Sequence, residues 1–129
     1  MHFNHLDIPV PDVAATRDFF VTHMDFTPIN PRKSDGVVAA GPRDGLAILR
    51  DSEGAVLVLS RADSGQPPGD GFHIGFHVKD RMTVDAMFAR LRAGGVAVAA
   101  PPHEMRGAYL FYCEAPGPIL VEVAHWPGG

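Results

Sequence analysis

Residues 3–20, FNHLDIPVPDVAATRDFF, carry the pattern that decides the fold, because residues 71–88, GFHIGFHVKDRMTVDAMF, repeat it. With His5 set on His73, Leu6 meets Ile74, Ile8 meets Phe76, Val10 meets Val78, Asp12 meets Asp80 and Phe20 meets Phe88. Each copy alternates apolar and polar side chains at the period of a strand. It then offers an aspartate where a helix needs its N-cap, and continues at helical spacing. The first helix is predicted from about Val13 to His23. The second carries Val84, Met87, Phe88 and Leu91 on one stripe and stops at Gly94-Gly95.

Outward from the two copies, short apolar runs are separated by turn-forming residues. The spacing predicts strands near 26–29, 46–50 and 55–60 in the first half, with 37–40 extending one of them. Asp51-Ser52-Glu53-Gly54 reads as a hairpin turn. The second half offers 96–99, 108–113 and 119–124. The polar, breaker-rich stretch 63–70 reads as a linker. The expectation is one domain over 1–129, with module one at 1–62, the linker at 63–70 and module two at 71–129. A module with one helix leaves a sheet face poorly covered. The fold class is therefore α+β: two βαβββ modules pair into a curved, cleft-forming mixed sheet with the helices outside. Two ferredoxin-like units side by side are the alternative, with a different strand count.

Composition narrows the function classes. Eleven Lys plus Arg against 15 Asp plus Glu give a net charge of −4, and no basic run could neutralise a phosphate backbone, so no nucleic-acid partner is expected. A single cysteine, Cys113, permits no internal disulfide and suits a reducing compartment. The N-terminal MHFNHLDIPV lacks the features of a signal peptide, and no run is long enough to span a membrane. A cytoplasmic protein is expected.

Strand alternation selects the residues that face away from the helices. In the opening strand these are Phe3, His5 and Asp7; in its copy, His73, Gly75 and His77; in the last strand, Leu120, Glu122 and Ala124. His5 and His73 occupy equivalent positions of the two modules. Glu122 is a carboxylate flanked by ILV and VA, costly to bury without a compensating cation or donors. Two imidazoles and one carboxylate form the ligand set usual for non-haem Fe(II), and Mn(II), Ni(II) or Zn(II) also suits these donors. The residues equally allow His5 and His73 as polar side chains at sheet ends, with Glu122 paired to an arginine.

On these residues the chain resembles the vicinal oxygen chelate superfamily, which groups glyoxalase I, bleomycin- and fosfomycin-resistance proteins, methylmalonyl-CoA epimerase and extradiol dioxygenases. The resemblance covers essentially the whole chain and implies His5, His73 and Glu122 as metal ligands. The stretch PHEMRGAYLFYCEAPGPILVE is similar to the signature of type I extradiol ring-cleavage dioxygenases. His103, Phe111, Tyr112, Ala115, Pro116, Pro118 and Glu122 fill its slots, and Pro101 departs from it. That resemblance implies a dioxygenase acting on a small catechol-type aromatic with dioxygen, with His103 and Tyr112 at the substrate oxygens and Fe(II) as the resident metal. Ring-cleaving relatives also carry an acid–base histidine, and glyoxalase I a glutamate, where this chain has Val58. His77 is the nearest substitute and the third catalytic candidate. The alternatives are a glyoxalase-like isomerase, a thiol-transferring resistance enzyme, or a metal-free drug-binding dimer. A homodimer is expected, as single-domain relatives commonly form one. Cys113 reads as a buried structural thiol, and Arg43, Arg50, Arg61 and Arg106 as equivalent candidates for an anionic substrate group.

Overall fold

The computed structural model of the chain describes residues 1–29, 45–62, 69 and 71–128. It divides into two compact units, 1–67 and 68–129. In the first unit β1 (His5–Val10) leads into α1 (Val13–His23), then β2 (Thr27–Ile29), β3 (Leu46–Arg50) and β4 (Val56–Arg61). The second unit repeats the order with β5 (His73–His77), α2 (Arg81–Ala93), β6 (His103–Met105), β7 (Ala108–Ala115) and β8 (Ile119–His125). Both sheets have four strands and one topology, β1-β4-β3-β2 and β5-β8-β7-β6. The first strand of each module runs parallel to the last, and the remaining pairs are antiparallel. Each unit is thus a βαβββ module with a mixed sheet and one packed helix, not a ferredoxin-like unit. The expected strand at 37–40, Arg43 and most of the expected linker lie outside the described residues.

The repeated aspartates do the same work in both modules. Asp12 Oδ1 accepts from the Ala15 amide at 3.0 Å, and Asp80 Oδ1 from the Thr83 amide at 2.8 Å, satisfying amides that the first helical turn leaves without partners. The Thr83 hydroxyl and amide together hold the Asp80 carboxyl below its ordinary range. At its other end α2 closes with the Gly95 amide bonded to Arg92 O at 3.1 Å and the Val96 amide to Leu91 O at 3.0 Å. Gly95 takes φ +83, the left-handed conformation that this double bond requires.

That cap explains one departure from expectation. The run 96–99 is not a strand; Val98 makes an isolated bridge to Cys113. The Val96 amide is spent on the helix, and Pro101 and Pro102 just beyond have none to donate. The edge strand is instead β6, which the sequence pattern had not marked. It is folded onto β7 by a two-residue turn at Arg106 (φ 53) and Gly107 (φ 84). Both central residues at positive φ make the hairpin turn whose twist matches the strands.

Within each unit the helix-facing side of the sheet is the core. Ile8, Val10, Leu49, Leu57 and Leu59 are buried with Phe20 of α1, whose ring meets Phe26 edge-on. In the second unit Phe111, Ile119, Val121 and Val123 are buried with Val84 and Leu91, and Phe88 packs edge-on against Phe111 at 5.5 Å. Burial of these apolar side chains supplies the stability. It also fixes the strand register, since a slip of one residue would expose the whole apolar set. Among the described residues, no helix is long and apolar enough to cross a membrane.

Candidate functional site

Core burial on one sheet face forces the polar residues onto the other. In module two that face carries His73, Gly75 and His77 on β5, Leu120, Glu122 and Ala124 on β8, and Leu110 and Tyr112 on β7. Cross-strand register then decides who meets whom. Gly75 lies opposite Glu122, and Glu122 opposite Tyr112. Directly opposed residues share a face, so the three form one row across the sheet.

The geometry around Glu122 is specific. The Tyr112 hydroxyl donates to Glu122 Oε2 at 2.7 Å. His73 Nε2 lies 3.6 Å from the same oxygen, and the His73 and Tyr112 rings meet edge-on at 6.0 Å. His73 Nδ1 is 2.9 Å from Gly71 O. A carbonyl can only accept, so Nδ1 is the donor to Gly71 O, which leaves Nε2 as the nitrogen that faces the carboxylate. The side chain of Glu122 is 13% exposed, and no arginine pairs with it among the described residues. The bond to Glu122 raises the Tyr112 hydroxyl above the ordinary phenol range, with burial and the carboxylate charge acting the same way and Arg106 opposing them.

A ring nitrogen and a carboxylate oxygen thus face each other at 3.6 Å. Both atoms are of the kind that ligate divalent metals. Nitrogen and oxygen ligands bind at about 2.0–2.2 Å, so two adjacent ligands stand about 3 to 3.5 Å apart. The Nδ1 bond to a backbone carbonyl is the outer contact that orients ligating histidines. Among the described residues, no three His, Cys, Asp or Glu side chains form a group able to hold a metal ion.

In module one the same face carries His5, Asp7, Val58 and Ser60. His5 Nδ1 is 3.0 Å from Asn4 Oδ1, and Ser60 donates its hydroxyl to Asp7 Oδ1 at 2.7 Å. Val58 lies opposite Asp7, the register position that Glu122 holds opposite Gly75. The absence of an acid–base group at residue 58 therefore falls at the module-one counterpart of Glu122.

The remaining candidates sit one row away. His103 on β6 opposes Leu110, which opposes Ala124, which opposes His77. His103 and His77 thus end the same row on opposite edges of the sheet, three strand spacings or about 14 Å apart. Ala108, Leu110 and Ala124 are buried along this face, with Met105 and Tyr112 packed on them. His103 Nδ1 is 3.0 Å from Pro101 O. His77 packs on His125, with ring centroids 5.8 Å apart, and His125 Nδ1 is 3.1 Å from Val78 O. The structure brings His73, Tyr112 and Glu122 together and sets His77 and His103 apart from each other. Cys113 is buried on the core side, and burial pushes its thiol up to about 11. Strand alternation had already put Asp7 and Gly75 on this face, but their partners, Ser60 bonded to Asp7 and Glu122 opposite Gly75, follow from register and contacts.

Comparison with known proteins agrees with this architecture. The family model described as the Glyoxalase/Bleomycin resistance protein/Dioxygenase superfamily matches residues 2–123. A solved structure described as a possible glyoxalase from Bacillus cereus is 32% identical, over 95% of this chain and 97% of that one, with a TM-score of 0.78. A fosfomycin resistance protein from Listeria monocytogenes is similar at 18% identity, over 97% and 93% of the two chains, with a TM-score of 0.75. An antibiotic binding protein from Streptomyces sp. CB03234 is similar at 22% identity, over 97% and 95%, with a TM-score of 0.73. The last two share the fold. No protein of curated function matches the chain.

Proposed function

Because the chain belongs to the Glyoxalase/Bleomycin resistance protein/Dioxygenase superfamily, we propose that it is a metal-dependent member that binds one divalent ion through His5, His73 and Glu122. Its ligand is then a small molecule with adjacent oxygens. The single observation that carries this reading is His73 Nε2 set 3.6 Å from Glu122 Oε2. When bound, such an ion would polarise the ligand's oxygens and acidify its hydroxyls. The chain's own residues orient the donors: Gly71 O accepts from His73 Nδ1, and the Tyr112 hydroxyl donates to Glu122.

Metal titration of purified protein tests this. The expected result is one Fe(II), Mn(II), Ni(II) or Zn(II) per chain. Glu122→Gln removes the anionic donor with little change of shape and should abolish most of the affinity. A wild-type protein that binds none of these ions above background would end the reading.

A narrower reading is extradiol ring cleavage of a catechol with dioxygen. It is supported by His103, Tyr112 and Glu122 in the ring-cleavage signature, with His77 as the available acid–base group. Val58 stands against fast turnover, since general acid–base help is worth about 10² to 10⁴ in rate. Fe(II)-loaded protein mixed anaerobically with catechols should shift their ultraviolet absorbance. Admitting air should then consume dioxygen and give the yellow product. Catechol binding without dioxygen uptake would assign the protein to binding or isomerase chemistry instead.

A further inference from the structure

The face of the module-one sheet that turns away from α1 can be laid out from register. Across it run the rows His5–Val56–Arg50 and Asp7–Val58–Ile48. Opposed residues share a face, so Arg50 stands on the side of His5, two strand spacings or about 10 Å from it across Val56. Among the four arginines that the sequence left equivalent, Arg50 has this placement. Arg61 opposes the buried Val10 and belongs to the helix-facing side. Arg106 sits in the β6–β7 turn of the other unit, and Arg43 lies outside the described residues.

The floor beside Arg50 is apolar and open. Val56, Val58 and Ile48 are half-buried, and Leu46 beyond them is 43% exposed, whereas Leu49, Leu57 and Leu59 on the other face are buried. One strand spacing by two residues is about 5 by 7 Å, the footprint of a single aromatic ring. Charge differs at the two ends of this floor. Arg50 is exposed and makes no ion pair among the described residues, while Asp7 is held by the Ser60 hydroxyl at 2.7 Å. A ligand carboxylate is drawn toward Arg50 and repelled from Asp7. In module two the matching row is His73–Leu120–Glu114, so the position of Arg50 there carries the opposite charge.

We propose that this face of module one binds a small carboxylate with a flat apolar body, its carboxylate on the Arg50 guanidinium and its body on Val56, Val58 and Ile48. The site lies within one unit and needs no bound ion, so it goes beyond the metal-binding reading. Apolar contact holds the body, and charge selects its orientation. A guanidinium meets a carboxylate through two parallel N–H donors, which an ammonium cannot do.

The test follows backbone amide NMR shifts of the protein in the presence of chelator. The titrants are benzoate, the neutral benzamide, and acetate, which has the charge without the body. Benzoate should shift amides of β1, β3 and β4 and bind at least about threefold more tightly than benzamide, the scale of a solvent-exposed charge pair. Acetate should bind more weakly than benzoate, and added salt should shrink the preference. Arg50→Gln should abolish the preference, Arg50→Lys should keep part of it, and Arg61→Gln, on the opposite face, should leave it intact. Amide dispersion in the same spectra shows that each variant is folded. Equal binding of benzoate and benzamide, an Arg50→Gln variant that keeps the preference, or no shift at millimolar benzoate overturns the site. Benzoate shifts confined to β6 and β7 overturn it as well and move the anion to Arg106.

Discussion

Tyr112 illustrates how one hydroxyl decides between roles. Its proton is given to Glu122 Oε2, the oxygen nearest His73 Nε2, so the phenol orients a carboxylate. Tyr112→Phe should therefore weaken metal binding by about tenfold, the scale of losing an outer contact to a ligand. A phenol that acted only on substrate oxygen would leave metal affinity intact and lower turnover alone, so chelator competition on the variant separates the two. Alkaline titration provides a second check. Both tyrosines donate to carboxylates, Tyr112 to Glu122 and Tyr109 to Asp85, and both are raised above the ordinary phenol value. Tyrosinate absorbance of the metal-free protein should thus rise at a midpoint above the model-peptide value of about 10. Because these groups hold their protons more tightly in the folded state, their contribution to stability is complete below that value. It is lost as pH rises through the folded midpoint. Two tyrosines titrating at the ordinary value would contradict both hydrogen bonds.

Among the elements, both helices and most strands were legible in the sequence, and the edge strand β6 was not. Aspartate caps, helical stripes and terminal glycines are local signals, and α1 and α2 begin and end where those signals place them. The strand β6 has no such signal, since HEM lacks alternation and β-branched residues. It exists because a turn at Arg106-Gly107 presents it to β7. Contacts with α2 then secure the hairpin: Arg81 pairs with Glu104 and lies over the Tyr109 ring at 4.6 Å, while Tyr109 donates to Asp85 at 2.7 Å. The turn between β7 and β8 sets the position of Glu122 and tolerates less. Gly117 has φ +152, and an added Cβ would stand 2.7 Å from Cγ1 of the buried Ile119. Gly117→Ala should cost about 1–3 kcal/mol by strain and overpacking. Gly107, at φ +84 with open space around its Cβ position, should cost only about 1–2 kcal/mol from the backbone. Chemical denaturation of the two variants measures the difference, and equal losses would mean that the contact with Ile119 relaxes freely.

At the scale of the molecule, duplication was the readable feature. The match of His5 with His73 predicted two modules of one topology, and the sheets share one strand order. What stayed hidden was their chemical asymmetry. Glu122 stands out in sequence as a charge among apolar residues, whereas its module-one counterpart is the uncharged Val58, a match that only the register makes visible. Assembly is a further expectation at this scale. The homodimer expected from the sequence is tested by light scattering across micromolar concentrations: twice the chain mass is the expected outcome, and a monomer throughout would refute it.

The parallel pairing of first and last strands has a consequence for synthesis. His5 is bonded into the sheet beside Val56, and His73 beside Leu120, so each strand that opens a module must wait for the one that closes it. Such long-range closure is slow compared with forming a helix. On the ribosome α2 can form as it emerges, but β5 has no sheet partner until β8 has left the exit tunnel. His73 and Glu122 are therefore brought together only after β8 has emerged. They cannot act together before β8 is available to pair with β5.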